Sequence, residues 1–227
     1  MEYRKIVHGK FLSRPNRFIA HVEIDGKEEV VHVKNTGRCR ELLLPGTEVI
    51  LEDCEGMDRK TRYDLIAVYK EGFGLINIDS QAPNKVVYEW VKKQNYDFIK
   101  SEYTYGASRV DFYMEKDGIR YLMEIKGCTL EVDGVGYFPD APTERGVKHL
   151  RELTHAVSEG YRAILGFVIQ MDGIETVYPN VQTDPAFAKA YEEAIRMGVQ
   201  VKLFKCHIRE SGFDIVEELD AAEGNEK

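Results

Sequence analysis

The stretch RVDFYMEKDGIRYLMEIKG, residues 109–127, decides how the second half of this 227-residue chain folds. Two runs of aromatic, branched and other apolar residues predict a pair of β-strands. Asp117-Gly118 between them is a preferred sequence for a two-residue hairpin turn. Charged residues nevertheless interrupt the apolar runs: Asp111 in the first strand, and Glu124 and Lys126 in the second.

A two-residue turn fixes the register of this hairpin, because cross-strand partners then have residue numbers that sum to 117 plus 118, which is 235. Asp111 lies opposite Glu124 in that register, and directly opposed like charges destabilise a strand pair. A divalent cation between the carboxylates reverses the sign of this interaction, since carboxylate oxygens are ligands that Mg²⁺ selects. Lys126 projects from the same strand face as Glu124. Its ammonium group is suited to orienting a metal-bound water or stabilising charge at a phosphorus centre.

The relative positions of Asp111 and Glu124 depend on the length of the hairpin loop. A four-residue loop keeps both acids on one face, one step out of register. A three-residue loop without a bulge puts them on opposite faces and removes the site. The competing interpretation is that all three charges lie on the solvated face of a half-exposed hairpin.

The composition is that of a soluble globular protein, with 43% hydrophobic and 31% charged residues. No apolar run has membrane-spanning length and the N-terminus lacks a signal-peptide core, so we expect a cytoplasmic protein without a membrane partner. The cysteines are widely spaced and form no CxxC pair, which favours buried, reduced thiols over a zinc site. They are Cys39, Cys54, Cys128 and Cys206.

The net charge of −8 conceals an uneven distribution. Residues 1–45 hold nine Lys or Arg against six acids, a local charge of +3, so a basic face for phosphates is compatible with the sequence. Residues 207–227 hold seven acids against two bases, a local charge of −5. We expect the acidic end, EELDAAEGNEK, to be frayed and solvated.

The chain divides into two patterns. About 75 residues of short strands separated by turn signals predict a small barrel or sandwich. After the polar stretch DSQAPNK, in which Pro83 and Asn84 are candidate capping residues, the order becomes α-β-β-β-α-β-α-β. The predicted helices are KVVYEWVKKQ, residues 143–160, and DPAFAKAYEEAIRMG with Asp184 as its cap.

Two levels of resemblance follow from these residues. Asp111, Glu124 and Lys126 on adjacent strands after a helix resemble the core of PD-(D/E)xK nucleases, although Val110 stands where that superfamily often has proline. More specifically, GYFPDAPTERGVKHLREL, SEYTYGASRVDF and VKNTGRCRELLLPG resemble signature stretches of the bacterial sugar fermentation stimulation protein family. The resemblance covers nearly the whole chain.

This resemblance implies an N-terminal OB-fold-like β-barrel over residues 1–80. A restriction-endonuclease-like α-β-β-β-α-β domain with a mixed sheet then follows over residues 81–227. The family further implies DNA binding without sequence preference.

Supporting residues surround the three charges. Glu102, in the preceding strand, is a candidate third acid near the metal, with an exposed strand glutamate as the alternative. Arg145, Lys148 and His149 share one helix face with Glu152. That face is either an ordinary solvated one or, as the family resemblance implies, a contact with phosphate or with the active site.

A second basic cluster lies in the first domain, around Asn16 and Asn35. OB-type barrels bind nucleic acids with basic grooves, and few aromatic residues favour contacts to the backbone over base recognition. Phe18 is a candidate stacking platform, but we expect it in the core. The basic residues are Arg14, Arg17, Lys34, Arg38 and Arg40.

Three functions compete at this stage. The leading one is DNA binding together with Mg²⁺- or Mn²⁺-dependent hydrolysis of phosphodiester bonds. Asp111 and Glu124 would hold the metal ion, and Lys126 would position the attacking water. No small organic cofactor is expected. The alternative is a non-catalytic DNA-binding regulator of sugar (maltose-type) metabolism genes, as the family name implies. An enzyme that acts on sugars through paired carboxylates is disfavoured, because a lysine beside the acids suits phosphate chemistry better. Nothing in the sequence specifies an oligomeric state.

Overall fold

The computed structural model describes residues 1–35, 37–56, 59–106 and 108–221. Its first domain is built from six short strands, some of which alternate between buried and more exposed residues. In the second strand, for example, Ala20, Val22 and Ile24 are buried and the residues between them are not. The strands are β1 (Ile6–Ser13), β2 (Ile19–Ile24), β3 (Lys27–Val33), β4 (Glu48–Asp53), β5 (Tyr63–Lys70) and β6 (Gly74–Asn77).

These strands close into a barrel. They follow the order β3-β2-β1-β4-β5-β6, and a parallel pairing of β3 with β5 joins the ends of a five-stranded ring. Closure pairs the strand edges that an open sheet would expose. The predicted OB-fold-like barrel is confirmed, with β6 added outside the ring on β5.

The second domain contains a mixed sheet with helices packed against it. The sheet order is β15-β14-β12-β9-β8-β7, and only β12 runs parallel to its two neighbours. The predicted α-β-β-β-α-β order and mixed sheet are confirmed. The helices are α1 (Ala82–Val91), α2 (Glu144–Ser158) and α3 (Pro185–Arg196), and the strands of this sheet are β7 (Phe98–Tyr105), β8 (Ser108–Lys116), β9 (Ile119–Cys128), β12 (Arg162–Ile169), β14 (Gln200–Arg209) and β15 (Gly212–Asp220).

The hairpin of β8 and β9 has the register that the Asp117-Gly118 turn predicts. Lys116 pairs with Ile119 and Phe112 with Met123, so the partner numbers sum to 235. Asp117 and Gly118 both have positive φ, 52° and 75°, as a two-residue hairpin turn of this class requires. Continued by one residue beyond the Phe112–Met123 pair, this register places Asp111 across from Glu124.

Two features differ from the sequence prediction. A small sheet of β10 (Leu130–Val132), β11 (Val135–Phe138) and β13 (Val177–Pro179) was not predicted. α1 begins at Ala82 and takes in the candidate capping residues Pro83 and Asn84. In contrast, Asp184 caps α3 as predicted, since its side chain accepts a hydrogen bond from the backbone of Phe187.

The acidic C-terminal segment is not wholly frayed. Its residues up to Asp220 form the end of β15, and only residues 222–227 lie outside the described ranges. Basic residues on the neighbouring strand β14 neutralise these acids, because Lys202 pairs with Glu218 and Asp220 while Lys205 pairs with Glu217. The prediction overlooked that β14 supplies these lysines.

One apolar core joins the two domains. It includes Leu65 and Ile76 of the barrel together with Ile169 and Met171 of the second domain. All four cysteines are buried and free, as predicted. Among the helices of the described ranges, none is both long enough and apolar enough to cross a bilayer.

Candidate metal centre and nucleic-acid groove

Asp111 is anchored on both sides of its carboxylate. The backbone N–H of Ile125 on β9 donates to Oδ2 at 2.7 Å, and the side-chain amide of Asn84 on α1 donates to Oδ1 at 2.7 Å. Burial and then the negative charge of Glu124 raise the pKa of Asp111, and these effects outweigh the hydrogen bonds and the charge of Lys126. The two carboxylates therefore interact unfavourably when both are ionised.

Glu124 is buried, with 3% of its surface exposed. Its Oε1 atom contacts His149 Nδ1 and accepts a hydrogen bond from Lys126 Nζ at 2.7 Å. Burial on its own would raise the pKa of Glu124, but the His149 hydrogen bond and the Lys126 charge outweigh it and leave the pKa lowered. Oε2 is buried and has no hydrogen-bond partner among the described residues.

His149 connects this acid to the helix α2. Arg145 Nε donates to His149 Nε2 at 3.3 Å, which leaves Nδ1 to carry the proton that the imidazole donates to Glu124. Lys126 Nζ lies 3.2 Å from the same Nδ1. Of the predicted α2 face, His149 is buried and contacts Glu124, and Arg145 contacts His149.

Two other predicted residues point elsewhere. Glu102 lies in β7 between the pairs Ser101–Phe112 and Tyr103–Val110, so its position is across from Asp111. However, its backbone has a φ of 52°, and its exposed side chain lies 3.5 Å from Arg109. Lys148 is exposed and lies 3.7 Å from Glu152. The geometry thus gives Glu102 no contact with the acid pair.

The residues of the acid pair fit a hard divalent cation. An unpartnered buried oxygen on Glu124 and the nearby carboxylate of Asp111 offer oxygen ligands next to the ammonium group of Lys126. Mg²⁺, Mn²⁺ and Ca²⁺ all favour such oxygen ligands. Asn84 was missed as part of this site, because its side chain was interpreted as a cap. The sequence does contain a signal for this role: Asn84 is an uncharged amide in the first turn of an amphipathic helix.

A second group of ligand-type atoms lies in the barrel, where Glu52, Cys54 and Asp64 come close enough together to hold a metal ion. Cationic side chains of the protein already contact it. Arg59 Nη1 lies 2.9 Å from Asp64 Oδ2 and 3.1 Å from Cys54 Sγ. Lys34 Nζ is 3.6 Å from Asp64. These contacts neutralise the group without an ion.

The basic residues of the barrel surround a groove of about 730 Å³. We call it the OB groove, and it lies between the β1–β2 loop, the β3–β4 loop and the segment that leads into α2. Arg17, Arg38 and Arg40, all exposed, line it as a basic nucleic-acid site would require. Lys34 does not line it, because its side chain is only 9% exposed and lies 2.9 Å from Asp79.

Phe18 is not in the core. Its side chain is 52% exposed next to the OB groove, with the Arg17 guanidinium 5.9 Å from its ring centre. The core prediction for this residue is wrong. Phe18 precedes β2, which begins at Ile19, and its backbone N–H is bound to Asn16 Oδ1 in the β1–β2 loop, so the alternation that buries Ala20 does not extend to it.

The fold and these sites define a class of protein: an OB barrel joined to a mixed-sheet α/β domain that carries an acid pair, with Glu124 buried and Asp111 half-buried. Family models agree with each half. The SfsA N-terminal OB domain matches residues 12–78, and the sugar fermentation stimulation protein RE domain matches residues 81–212. The chain belongs to the sugar fermentation stimulation protein family.

Relatives match over nearly their whole length. Sugar fermentation stimulation protein homologs of Desulfitobacterium hafniense strain Y51 and Clostridium beijerinckii are 54% and 49% identical. The matches cover 94% and 97% of this chain and 95% and 99% of the relatives. The structure of Pyrococcus furiosus SfsA in complex with Ca²⁺ superimposes with a TM-score of 0.86 at 27% identity, covering 97% of both chains.

Proposed function

We propose that this protein binds DNA and hydrolyses its phosphodiester bonds at a divalent metal ion, Mg²⁺ or Mn²⁺, held by Asp111 and Glu124. The observation that carries the proposal is Glu124 Oε2, a buried carboxylate oxygen without a hydrogen-bond partner among the described residues. Its neighbour Asp111 supplies the second anionic ligand. The Ca²⁺ complex of Pyrococcus furiosus SfsA supports a divalent ion in this fold.

The bound ion would supply a water of lowered pKa and neutralise charge that develops on the phosphate. The residues of this chain position the reactants. Lys126, 2.7 Å from Glu124, holds its ammonium group where it orients the attacking water. Arg145 is exposed at the same place and binds a phosphate oxygen next to the scissile bond.

DNA binding without sequence preference follows from the side chains of the OB groove. Arg17, Arg38 and Arg40 present guanidinium groups on loops of the barrel. Guanidinium groups that contact phosphates fix the position of DNA but carry no sequence information. We therefore expect binding to weaken steeply with added salt.

The decisive experiment separates binding from cleavage. Calorimetric titration with Mg²⁺ or Mn²⁺ should release or absorb heat with the wild type but not with Asp111→Asn. Glu124→Gln should then reduce metal-dependent DNA cleavage by at least about a thousandfold while DNA affinity stays within about twofold. Glu192→Gln, on an exposed position of α3, is the matched control and should cleave as the wild type does. Cleavage that survives Glu124→Gln would refute the metal assignment.

A non-catalytic DNA-binding regulator of sugar metabolism genes is the second candidate. It is favoured by the separation of the OB groove from the acid pair, since the arginines of the groove lie in the other domain and can bind DNA without the metal. Salt-sensitive gel shifts without cleavage across a wide range of Mg²⁺ and Mn²⁺ would support this candidate over hydrolysis.

A further inference from the structure

The OB groove is held in shape by Arg14. Its guanidinium donates to the backbone carbonyls of Arg38 at 2.8 Å, Arg17 at 2.8 Å and Asn35 at 2.6 Å. These bonds link the β1–β2 loop to the β3–β4 loop. Arg14 is therefore a positioning residue, and its neighbours Arg17 and Arg38 are left to face a ligand.

The third wall of the groove is fixed to the second domain. The backbone N–H of Arg38 donates to Asp140 Oδ2 at 3.0 Å. Gly37 makes this approach feasible, because a Cβ atom there would lie 2.7 Å from Asp140 Oδ2. Ala141 and Pro142 follow and line the groove. The binding surface is thus formed before any ligand arrives.

The size of the groove favours one strand over two. Its volume of about 730 Å³ lies within the usual range of pockets that enclose small ligands. A few nucleotides of a single strand fit such a volume. A duplex, whose major groove alone is about 12 Å wide, would be confined to the rim.

Phe18 provides an exposed aromatic ring on which an unpaired base can stack. Its ring is 52% exposed beside the groove residue Arg17, whose guanidinium lies 5.9 Å from the ring centre, and its backbone N–H donates to Asn16 Oδ1 at 2.9 Å. Bases of a single strand stack on such rings, whereas the faces of bases within a duplex are already covered by their neighbours. An exposed phenylalanine beside guanidinium groups is typical of a single-strand site.

The groove also leads towards the acid pair. Pro142 precedes the helix α2, which carries Arg145 and then His149, the residue in contact with Glu124. From Thr143 to His149 the helix rises about 9 Å, at roughly 1.5 Å per residue. That distance corresponds to two or three stacked nucleotides at about 3.4 Å each.

We propose that the OB groove binds single-stranded DNA, with bases stacked on Phe18 and the strand directed along α2 to Asp111 and Glu124. The inference rests on the proposed function, because it names the form of DNA that the same site takes. Single-stranded DNA, or the single-stranded tail of a duplex, is then the substrate.

The test compares two DNA probes by fluorescence anisotropy in buffer without divalent ions, so that cleavage plays no part. The probes are a labelled 15-nucleotide oligothymidine and a labelled 15-base-pair duplex. We expect the single strand to bind at least about tenfold more tightly. Phe18→Ala should weaken single-strand binding at least about fivefold and leave duplex binding unchanged. Phe18→Trp should restore it.

The matched control is Phe98→Ala, since Phe98 is 48% exposed on β7 and packs edge-on against Tyr113 of β8, whereas Phe18 lies beside the groove residue Arg17. It should not change binding of either probe. A duplex bound as tightly as the single strand, or a Phe18→Ala variant that behaves like Phe98→Ala, would overturn this inference and leave the proposed function standing. Failure of both probes to bind would overturn the proposed function as well.

Discussion

The side-chain amide of Asn84 donates a hydrogen bond of 2.7 Å to Asp111 Oδ1 and so joins the helix α1 to the strand β8. The amide fixes the carboxylate without adding a charge to a site that already holds two acids. Groups that orient a metal ligand in this way contribute to metal affinity although they do not touch the ion. Asn84 is therefore a positioning residue of the proposed metal centre.

Replacing Asn84 by alanine should lower the affinity for Mg²⁺ or Mn²⁺ about tenfold, because Asp111 loses the partner that orients it. Calorimetric titration measures the effect. Gln81→Ala, at an exposed position one residue before α1 with no capping hydrogen bond from its side chain, is the control and should bind metal as the wild type does. Equal affinities for Asn84→Ala and the wild type would remove Asn84 from the site.

Asp111→Asn should stabilise the metal-free protein at pH 7. The pKa of Asp111 is raised by burial and by Glu124, so its ionised form is disfavoured in the folded state. A group of this kind contributes stability below its unfolded pKa and loses that contribution as pH rises through its folded pKa. Asparagine stays neutral and avoids the loss.

Urea unfolding in the presence of EDTA tests whether Asp111→Asn stabilises the metal-free protein. The variant should have the higher free energy of unfolding at pH 7, and the difference should shrink as the pH falls through the folded pKa of Asp111, above 3.8. In excess Mg²⁺ the wild type should instead have the higher free energy of unfolding, since the ion binds and stabilises only the wild type. A metal-free variant less stable than the wild type at pH 7 would contradict the unfavourable interaction between Asp111 and Glu124.

The hairpin shows what local sequence can specify. Asp117-Gly118 determines the turn, the turn determines the register, and the register places Asp111 across from Glu124. The partners of these acids are less accessible to sequence reasoning. Asn84 is 27 residues from Asp111 and was interpreted as a cap, because a local pattern shows neither how α1 is rotated nor what its polar side chains face.

The basic cluster of the barrel also shows how little a local sequence pattern reveals about the partners of a side chain. Arg17, Arg38 and Arg40 do surround one groove, yet Lys34 pairs with a buried acid and Arg14, which also lines the groove, donates its hydrogen bonds to backbone carbonyls of the protein. Charge alone does not distinguish a lysine that faces solvent from one that lies among buried acids. The acids that hold Lys34 come from β4, β5 and the segment after β6, so only the closed barrel brings them together.

His149→Gln should shift metal binding to higher pH. The His149 hydrogen bond and the Lys126 charge keep the pKa of Glu124 lowered against the effect of burial. Without the imidazole, Glu124 takes up a proton at a higher pH, and protonated carboxyl groups do not bind Mg²⁺. The pH of half-maximal metal binding should therefore rise, as measured by titrations between pH 4 and 8.

His155→Gln is the control for this shift, because His155 lies on the same helix with a side chain that is 67% exposed. Its pH profile should match that of the wild type. If both variants bind metal with the same pH midpoint, His149 has no influence on Glu124 and its contact is only structural.

Lys34→Met should lower the free energy of unfolding by about 3–5 kcal/mol at pH 7, since it leaves buried acids without their counter-charge. Lys34 Nζ lies 2.9 Å from Asp79, 3.6 Å from Asp64 and 3.8 Å from Glu52.

The loss of stability should depend on pH. Burial opposes the ionisation of Asp64, but Arg59, His32 and Lys34 keep its pKa lowered. Ionised Asp64 therefore contributes to the stability of the fold above its unfolded pKa, and this contribution is lost as the pH falls through its folded pKa. The effect of the substitution should accordingly be smaller at pH 3 than at pH 7. Denaturant unfolding measures both values, and Lys27→Met, at an exposed position, should change neither. A Lys34→Met variant as stable as Lys27→Met but with weakened DNA binding would instead return Lys34 to the phosphate-binding role predicted from the sequence.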